Sequence, residues 1–178
     1  MREIITYIAV SADLKIADKS GSVDWLNAFD PPEGEDYGYA AFYGSIDTVI
    51  MGNATYKHVV EMGVPNPYPE KINYVFTRNS TDQQNEEYVE YIDDDLIDFV
   101  KELKHEEGKA IWCVGGGQII SQLLQHRLID KFYIHIMPVL LGEGIPLYSG
   151  AFEFHKLKLE NSKQYSNGVL EVHYLLNP

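Results

Sequence analysis

The stretch Val114-Gly115-Gly116-Gly117-Gln118-Ile119-Ile120 (VGGGQII) sets three glycines between the apolar run 111–114 and a segment with helical periodicity. Residues without a Cβ let the chain turn sharply and let another group approach the backbone closely. The turn also leaves the first N–H groups of the following helix open, with the positive end of its dipole behind them, an arrangement that takes phosphate oxygens. Met51-Gly52-Asn53-Ala54-Thr55 is a second junction of this kind, after the short apolar run 48–51. Either turn alone reads equally well as a tight corner. Two of them at the carboxyl ends of parallel strands face one crevice, where open α/β sheets bind ligands, and together they suit a molecule with several phosphates.

Around these junctions strands alternate with helices. Residues 3–11 are rich in β-branched and aromatic types and predict a buried first strand, and 48–51, 72–77, 88–92 and 110–114 predict four more. Helices are predicted over 36–45, over 53–62 with Asn53 as its cap, over 93–107 with Gly108 as its stop, and from 118 to about 126. Strands over 132–141, 157–164 and 170–176 then follow without a helix, the last two antiparallel across Ser166-Asn167-Gly168. Residues 12–35, with Gly21, Pro31-Pro32 and Gly34 and few apolar anchors, predict a long ordered loop over a site. The expected fold class is α/β: a mostly parallel mixed sheet with an antiparallel C-terminal end and flanking helices, in one domain over 1–178.

Composition narrows the function. The net charge is −13, and residues 82–107 hold eleven acidic side chains against Lys101 and Lys104, a solvated face. No basic stripe is present, so no nucleic-acid partner is expected. No apolar run approaches a membrane span and the N-terminus has no signal-peptide core, so a cytoplasmic protein without membrane contact is expected. The lone Cys113 has apolar neighbours and reads as a buried inert thiol. The glycine turns fit neither G-x-G-x-x-G nor the Walker pattern with its Lys. The six histidines lack metal-ligand spacing, and His135, mid-strand, reads as a satisfied core residue. No metal is expected.

The segments TVIMGNATY, YVFTRN and IWCVGGGQIISQLLQHRLIDKFYIHIMPVLLGEGIPLY resemble the dihydrofolate reductase superfold over nearly the whole chain. Within it they are most similar to the C-terminal reductase domain of bifunctional riboflavin-biosynthesis deaminase-reductases; the opening SADLKIADKSGSVDWL resembles the SLDGKIA-type start of that branch. The resemblance implies NADPH lying across the carboxyl edge of the sheet. It implies that Gly52, Asn53, Ala54 and Thr55 hold cofactor phosphate and that Thr77, Arg78 and Asn79 lie beside the adenosine ribose. Val114, Gly115, Gly116, Gly117, Gln118 and Ile119 would meet the pyrophosphate and nicotinamide side, with the first Gly-Gly bond often cis. Ala9 and Ile16 would flank the nicotinamide. Two departures stand out. Asn53 replaces the Arg that relatives place on the 2′-phosphate, which opens NADH as well as NADPH, with Arg78 and then Lys57 as remaining cations. Asp13-Leu14 replaces the usual Asp-Gly, so a different loop backbone is expected there.

On the substrate side the placement of Asp36 resembles the substrate-binding acid of dihydrofolate reductases, where a carboxylate could orient an aminopyrimidine; a helix-dipole acid is the alternative. Asp24 on the covering loop is a second acidic candidate. Trp25, Tyr39, Phe42 and Tyr43 are expected to line the substrate side, with at least two of them in the core. These readings favour a nicotinamide-dependent reductase acting on a pyrimidine such as a 5-amino-6-(5-phosphoribosylamino)uracil or a related small heterocycle. The alternatives are a true dihydrofolate reductase and a silent nucleotide-binding or dimerisation module. A small-molecule substrate and a homodimer are the expected partners.

Overall fold

The computed structural model describes residues 1–63, 67–79, 87–150 and 153–176. Along them run β1 (Ile4–Ser11), β2 (Lys15–Asp18), α1 (Tyr39–Ser45), β3 (Ile46–Gly52), α2 (Asn53–Glu61), β4 (Ile72–Phe76) and β5 (Val89–Ile92). They continue with α3 (Leu96–His105), β6 (Ala110–Gly115), α4 (Gly117–Gln125), β7 (Lys131–Met137), β8 (Gly144–Pro146), β9 (Leu157–Gln164) and β10 (Leu170–Leu176). Eight strands form one sheet in the order β5-β4-β3-β6-β1-β7-β10-β9, and β2 pairs with β8 in a separate ribbon. Every pairing from β5 across to β7 is parallel, and β7-β10 and β10-β9 are antiparallel. This is the expected mixed sheet, parallel through the strands that alternate with helices and antiparallel at its C-terminal end, where a tight turn joins β9 to β10.

The helices cover the two faces of the sheet in pairs. On one face Ile4, Val10, Ile50, Ile111 and Cys113 pack against Val100 and Leu103 of α3 and Ile120, Leu123 and Leu124 of α4. On the other, Ile5, Val49, Met51 and Trp112 meet Phe42 of α1 and Tyr56 of α2. Fully burying a side chain such as Leu123 contributes ~1.5–3 kcal/mol, so these faces fix where each helix lies and where it starts. In α3 the stripe Leu96, Val100 and Leu103 faces inward, and Asp95 caps the helix by accepting from the N–H groups of Ile97 and Asp98 at 2.9 and 3.0 Å.

At the amino ends of the strands, charge does the fastening. Lys104, only 7% exposed, donates to Asp130 at 2.5 Å and to the Leu128 carbonyl at 3.0 Å. The same Asp130 oxygen accepts from the Ile4 N–H at 2.7 Å, tying α3 to the start of β1. Arg2 pairs with Asp47 and Thr48 and donates through Nε to the Lys109 carbonyl at 2.7 Å.

Several boundaries differ from the sequence reading, each for a local reason. The loop over 12–35 contains β2 and a 3-10 turn, Asp24–Ala28. Strand β2 is four residues long and its partner β8 three, too short for periodicity to register. The predicted strand 132–141 stops at Met137 because Pro138 follows. The helix predicted from 93 begins only after its cap, Asp95, and Gly108 instead packs at φ +155 where a Cβ would collide with Asp47 and Arg2.

Lys104→Met strands Asp130 without its cation. The expected loss is about 2–3 kcal/mol, below that of a fully buried pair because Asp130 retains 38% side-chain exposure. Urea unfolding should show a lower midpoint at unchanged slope.

Candidate active site

The two glycine turns meet at the carboxyl edge of the sheet. A Cβ on Gly52 would stand 3.4 Å from Ile119 Cγ1, and one on Gly116 would stand 3.3 Å from Thr55 Oγ1, so each turn rests on the first turn of the other's helix. Gly115 takes φ +109, the Gly115-Gly116 peptide is cis, and a Cβ on Gly117 would lie 2.6 Å from the Pro146 carbonyl oxygen. Neither α2 nor α4 has a side-chain cap: their cap residues are Gly52 and Gly116. Helix α3, by contrast, satisfies its own first N–H groups through Asp95. Uncapped starts leave donors and the helix dipole for an incoming anion.

Asn53 is therefore the first residue of α2 and not its cap. Its side chain turns toward the end of β4, where Nδ2 donates to Thr77 Oγ1 at 3.5 Å. Thr77 in turn donates its hydroxyl to the Asn79 carbonyl at 3.2 Å and accepts from the Asn79 N–H at 3.4 Å. The Thr77 proton is thereby spent, and the Asn53 oxygen is buried without a partner. Arg78, exposed, stands beside this knot, and Lys57 lies exposed on α2.

A second wall comes from the end of β1. Leu14, at the position where the resemblance leads one to expect glycine, takes φ +58, a left-handed backbone adopted despite the side chain. Asp13 accepts from Ser11 Oγ at 2.6 Å and from the N–H groups of Leu141 and Gly142 at 3.1 and 2.8 Å. These bonds, with Ser11 first, lower its pKa to about 2. Ile16 on β2 packs into the α3/α4-side core, and the Leu147 N–H donates to the Leu14 carbonyl at 3.0 Å, which seats the β2-β8 ribbon against Gly117.

The residues expected on the substrate side separate. Phe42, 5% exposed, stacks on Tyr7 at 4.6 Å and belongs to the core. Tyr39 and Tyr43 stack on each other at 5.5 Å, and the Tyr43 hydroxyl donates to the Pro69 carbonyl at 2.8 Å. Trp25 joins Ala9, Phe29, Tyr37, Met137 and Tyr165 at the end of β1 and β7, and its Nε1 is buried without a partner. Asp36 is exposed two residues before the Gly38 cap of α1, not in its first turn. Its carboxylate accepts from Ala40 and Gly38 N–H at 2.8 and 2.9 Å, which holds its pKa below the ordinary carboxylate value. That is the helix-start role. Asp24 is exposed at the first position of the 3-10 turn.

A buried polar cluster escaped the sequence reading. Glu171 and His135 are register partners on β10 and β7, as are His173 and Tyr133. The Glu171 carboxylate accepts from Tyr165 at 2.5 Å and contacts His173 Nε2 at 2.5 Å. His135 is 2% exposed; its Nε2 lies 3.0 Å from the Tyr37 carbonyl, which also accepts from the Tyr7 hydroxyl at 3.0 Å. Burial lowers the His135 pKa, so the neutral ring donates to Tyr37. Polar residues at period two on both strands, 133/135 and 171/173, were the available signal.

The sequence profile of the RibD C-terminal domain matches residues 2–171. The chain belongs to that family. YwjB of Bacillus subtilis (strain 168) is 42% identical over 175 residues, covering 98% of each chain, and YyaP of the same organism is 33% identical over 187 residues. Among solved structures, a protein from Shewanella sp. PV-4 named for riboflavin biosynthesis superposes with TM-score 0.88 at 28% identity, covering 99% of both chains. A diaminohydroxyphosphoribosylaminopyrimidine deaminase/5-amino-6-(5-phosphoribosylamino)uracil reductase from Thermotoga maritima shares the fold at TM-score 0.72 and 17% identity; the match covers 99% of this chain and 57% of that one. Membership of the RibD C-terminal family supports a reductase and a nicotinamide cofactor, and the dihydrofolate reductase-like fold is established. No helix among the described residues is long and apolar enough to cross a membrane, and no group of metal ligands occurs among them. A cavity of about 300 Å³ lined by Leu124, Phe132, Tyr148 and Leu157 lies by the opposite, amino end of β7. Its wall is largely apolar, so the glycine turns remain the better candidate in this RibD C-terminal domain.

Two outcomes follow for the β1 loop. Because Asp13 titrates lower when folded than its ordinary 3.8, its hold on the 138–142 loop is complete above pH 4 and lost as pH falls toward 2. Hydrogen-exchange protection at Leu141 and Gly142 should drop across that window, and Asp13→Asn should flatten the response. Leu14→Gly relieves the left-handed cost, offset in part by glycine's greater freedom when unfolded. It should raise stability by about 0.5–1 kcal/mol in thermal unfolding.

Proposed function

We propose that this chain is an NAD(P)H-dependent reductase that delivers a hydride to a pyrimidine-type heterocycle. The observation that carries the proposal is the contact between two helix starts that have no caps of their own, Gly52/Asn53 and Gly116/Gly117. A dinucleotide fits the residues present. The glycine backbone leaves room where side chains would intrude, the free N–H groups suit phosphate oxygens, and the partnerless Asn53 oxygen suits a ribose hydroxyl.

When bound, the dihydronicotinamide supplies a hydride, and a proton taken up from solvent completes the two-electron reduction. The protein's share is placement. Gly52 to Thr55 and Gly116 to Gln118 would hold the phosphates, and Thr77, Arg78 and Asn79 the adenosine ribose. Ala9, on β1 between the two parts of the site, would set the ring against the acceptor, and segment 24–37 would keep water out. Hydride transfer asks little of side chains beyond alignment and exclusion of water. Arg78 is the cation best placed for a 2′-phosphate now that position 53 is Asn.

Calorimetric titration with NADPH, and with NADH in parallel, tests this. Binding of NADPH should weaken by about 1.5–3 kcal/mol in Arg78→Ala, while NADH binding changes little. Absence of binding by both cofactors would return the glycines to a purely structural role.

A further inference from the structure

From Ser20 to Tyr37 the chain has no Lys or Arg, whereas Asp24, Asp30, Glu33, Glu35 and Asp36 fall within it. That span is the covering segment, whose Trp25, Phe29 and Tyr37 pack with Ala9 at the end of β1; the cations Lys71 and Lys109 lie against Tyr43 and Gly44 of α1, outside it. The β9-β10 hairpin closes the same mouth: Asn167 donates to the Asp30 carbonyl at 3.0 Å and to the Tyr37 hydroxyl at 2.6 Å. The cation that β9 brings there, Lys163, is already held by both oxygens of Glu35, at 2.8 and 2.7 Å. Lys19 pairs with Glu143, and Lys15 lays its stem along Gly144 in the β2-β8 ribbon. Arg78 and Lys57 belong to the β4 and α2 side of the glycine turns.

Backbone donors do not make up the deficit. The N–H groups at the start of α1 that a phosphate could use, those of Gly38 and Ala40, are taken by Asp36. Behind Gly38 stands the buried Glu171, whose Oε1 would lie 4.0 Å from a Cβ built there. A phosphate ester in this mouth would meet carboxylates and carbonyls, with the cofactor's own phosphates on the adjoining turns. Phosphate sites are built from Arg, Lys or free helix N–H groups. What the mouth offers instead is the half-buried ring of Trp25, backed by the buried rings of Tyr37 and Tyr165, and one buried, unpartnered donor, Trp25 Nε1. These suit a flat ring that accepts a hydrogen bond.

We propose, on the reductase reading above, that the substrate is an unphosphorylated aminopyrimidine-type compound, neutral or cationic. The chain would thus differ in substrate class from an enzyme that reduces a 5-phosphoribosylamino-uracil.

The test is calorimetry on the cofactor-loaded full chain with two probes, 5-amino-6-(ribosylamino)uracil and its 5′-phosphate. The unphosphorylated probe should bind at least tenfold more tightly. Glu35→Gln, which releases Lys163, should narrow that gap by improving binding of the phosphate. Equal or tighter binding of the phosphate by the wild type overturns the proposal, and its loss in Lys15→Met would identify the cation responsible. Cofactor binding with neither pyrimidine bound also overturns the substrate class while leaving the reductase reading in place. Failure of NADPH and NADH alike to bind removes that reading itself.

Discussion

Gly52 and Gly116 lie where two helices begin against each other, one contact through Ile119 and the other through Thr55. The rest of the site depends on that close approach. Any side chain at Gly116 or Gly117 would push the α4 start away from Thr55 or from the Pro146 carbonyl, and the edge would lose its paired helix dipoles. The sheet makes the approach possible because β3 and β6 are hydrogen-bonded neighbours running parallel, so that their carboxyl ends finish side by side. Burial of Ile120, Leu123 and Leu124 then fixes how α4 leaves the sheet.

A chain with a net charge of −13 is a poor attractor of anions at long range. Much of that charge sits in the 82–107 segment and on the covering wall, and mobile ions screen exposed charges beyond about 8–10 Å. Backbone N–H groups at the helix starts act at contact distance and are not subject to that screening. Local donors and global charge therefore pull apart: the uncapped helix starts at the glycine turns can hold an anion at contact distance, while the charged side chains of the covering segment, 20–37, are all acidic.

Most of the parallel sheet was legible because its strands are continuous apolar runs separated by helices whose stripe has the right period, as in α3. The glycine junctions were legible as well, since glycine is conspicuous wherever a strand gives way to a helix. Asn53 was misread because a polar residue just after a strand has the signature of a cap, whereas here Gly52 takes the cap position and the amide turns to Thr77. The backbone at Leu14 could not be read from its residue type, because tertiary contacts through Asp13 and Leu147 impose it. His135 was read correctly as a satisfied core residue, but its pairing with Glu171 escaped for a related reason. Each looks like a surface or core singleton until the register of β10 on β7 sets them side by side.

Cys113, at the heart of β6, has no solvent exposure, and burial pushes its thiol pKa up to about 12. A thiol so protonated and enclosed is closed to oxidants and alkylating reagents while the sheet is intact. It is also the chain's one cysteine, on a strand hydrogen-bonded between β1 and β3. Its reactivity is thus slaved to rupture of the sheet's centre, and the molecule carries a single chemical clock that counts only the deepest openings, while fraying at the β5 and β9 edges leaves it silent.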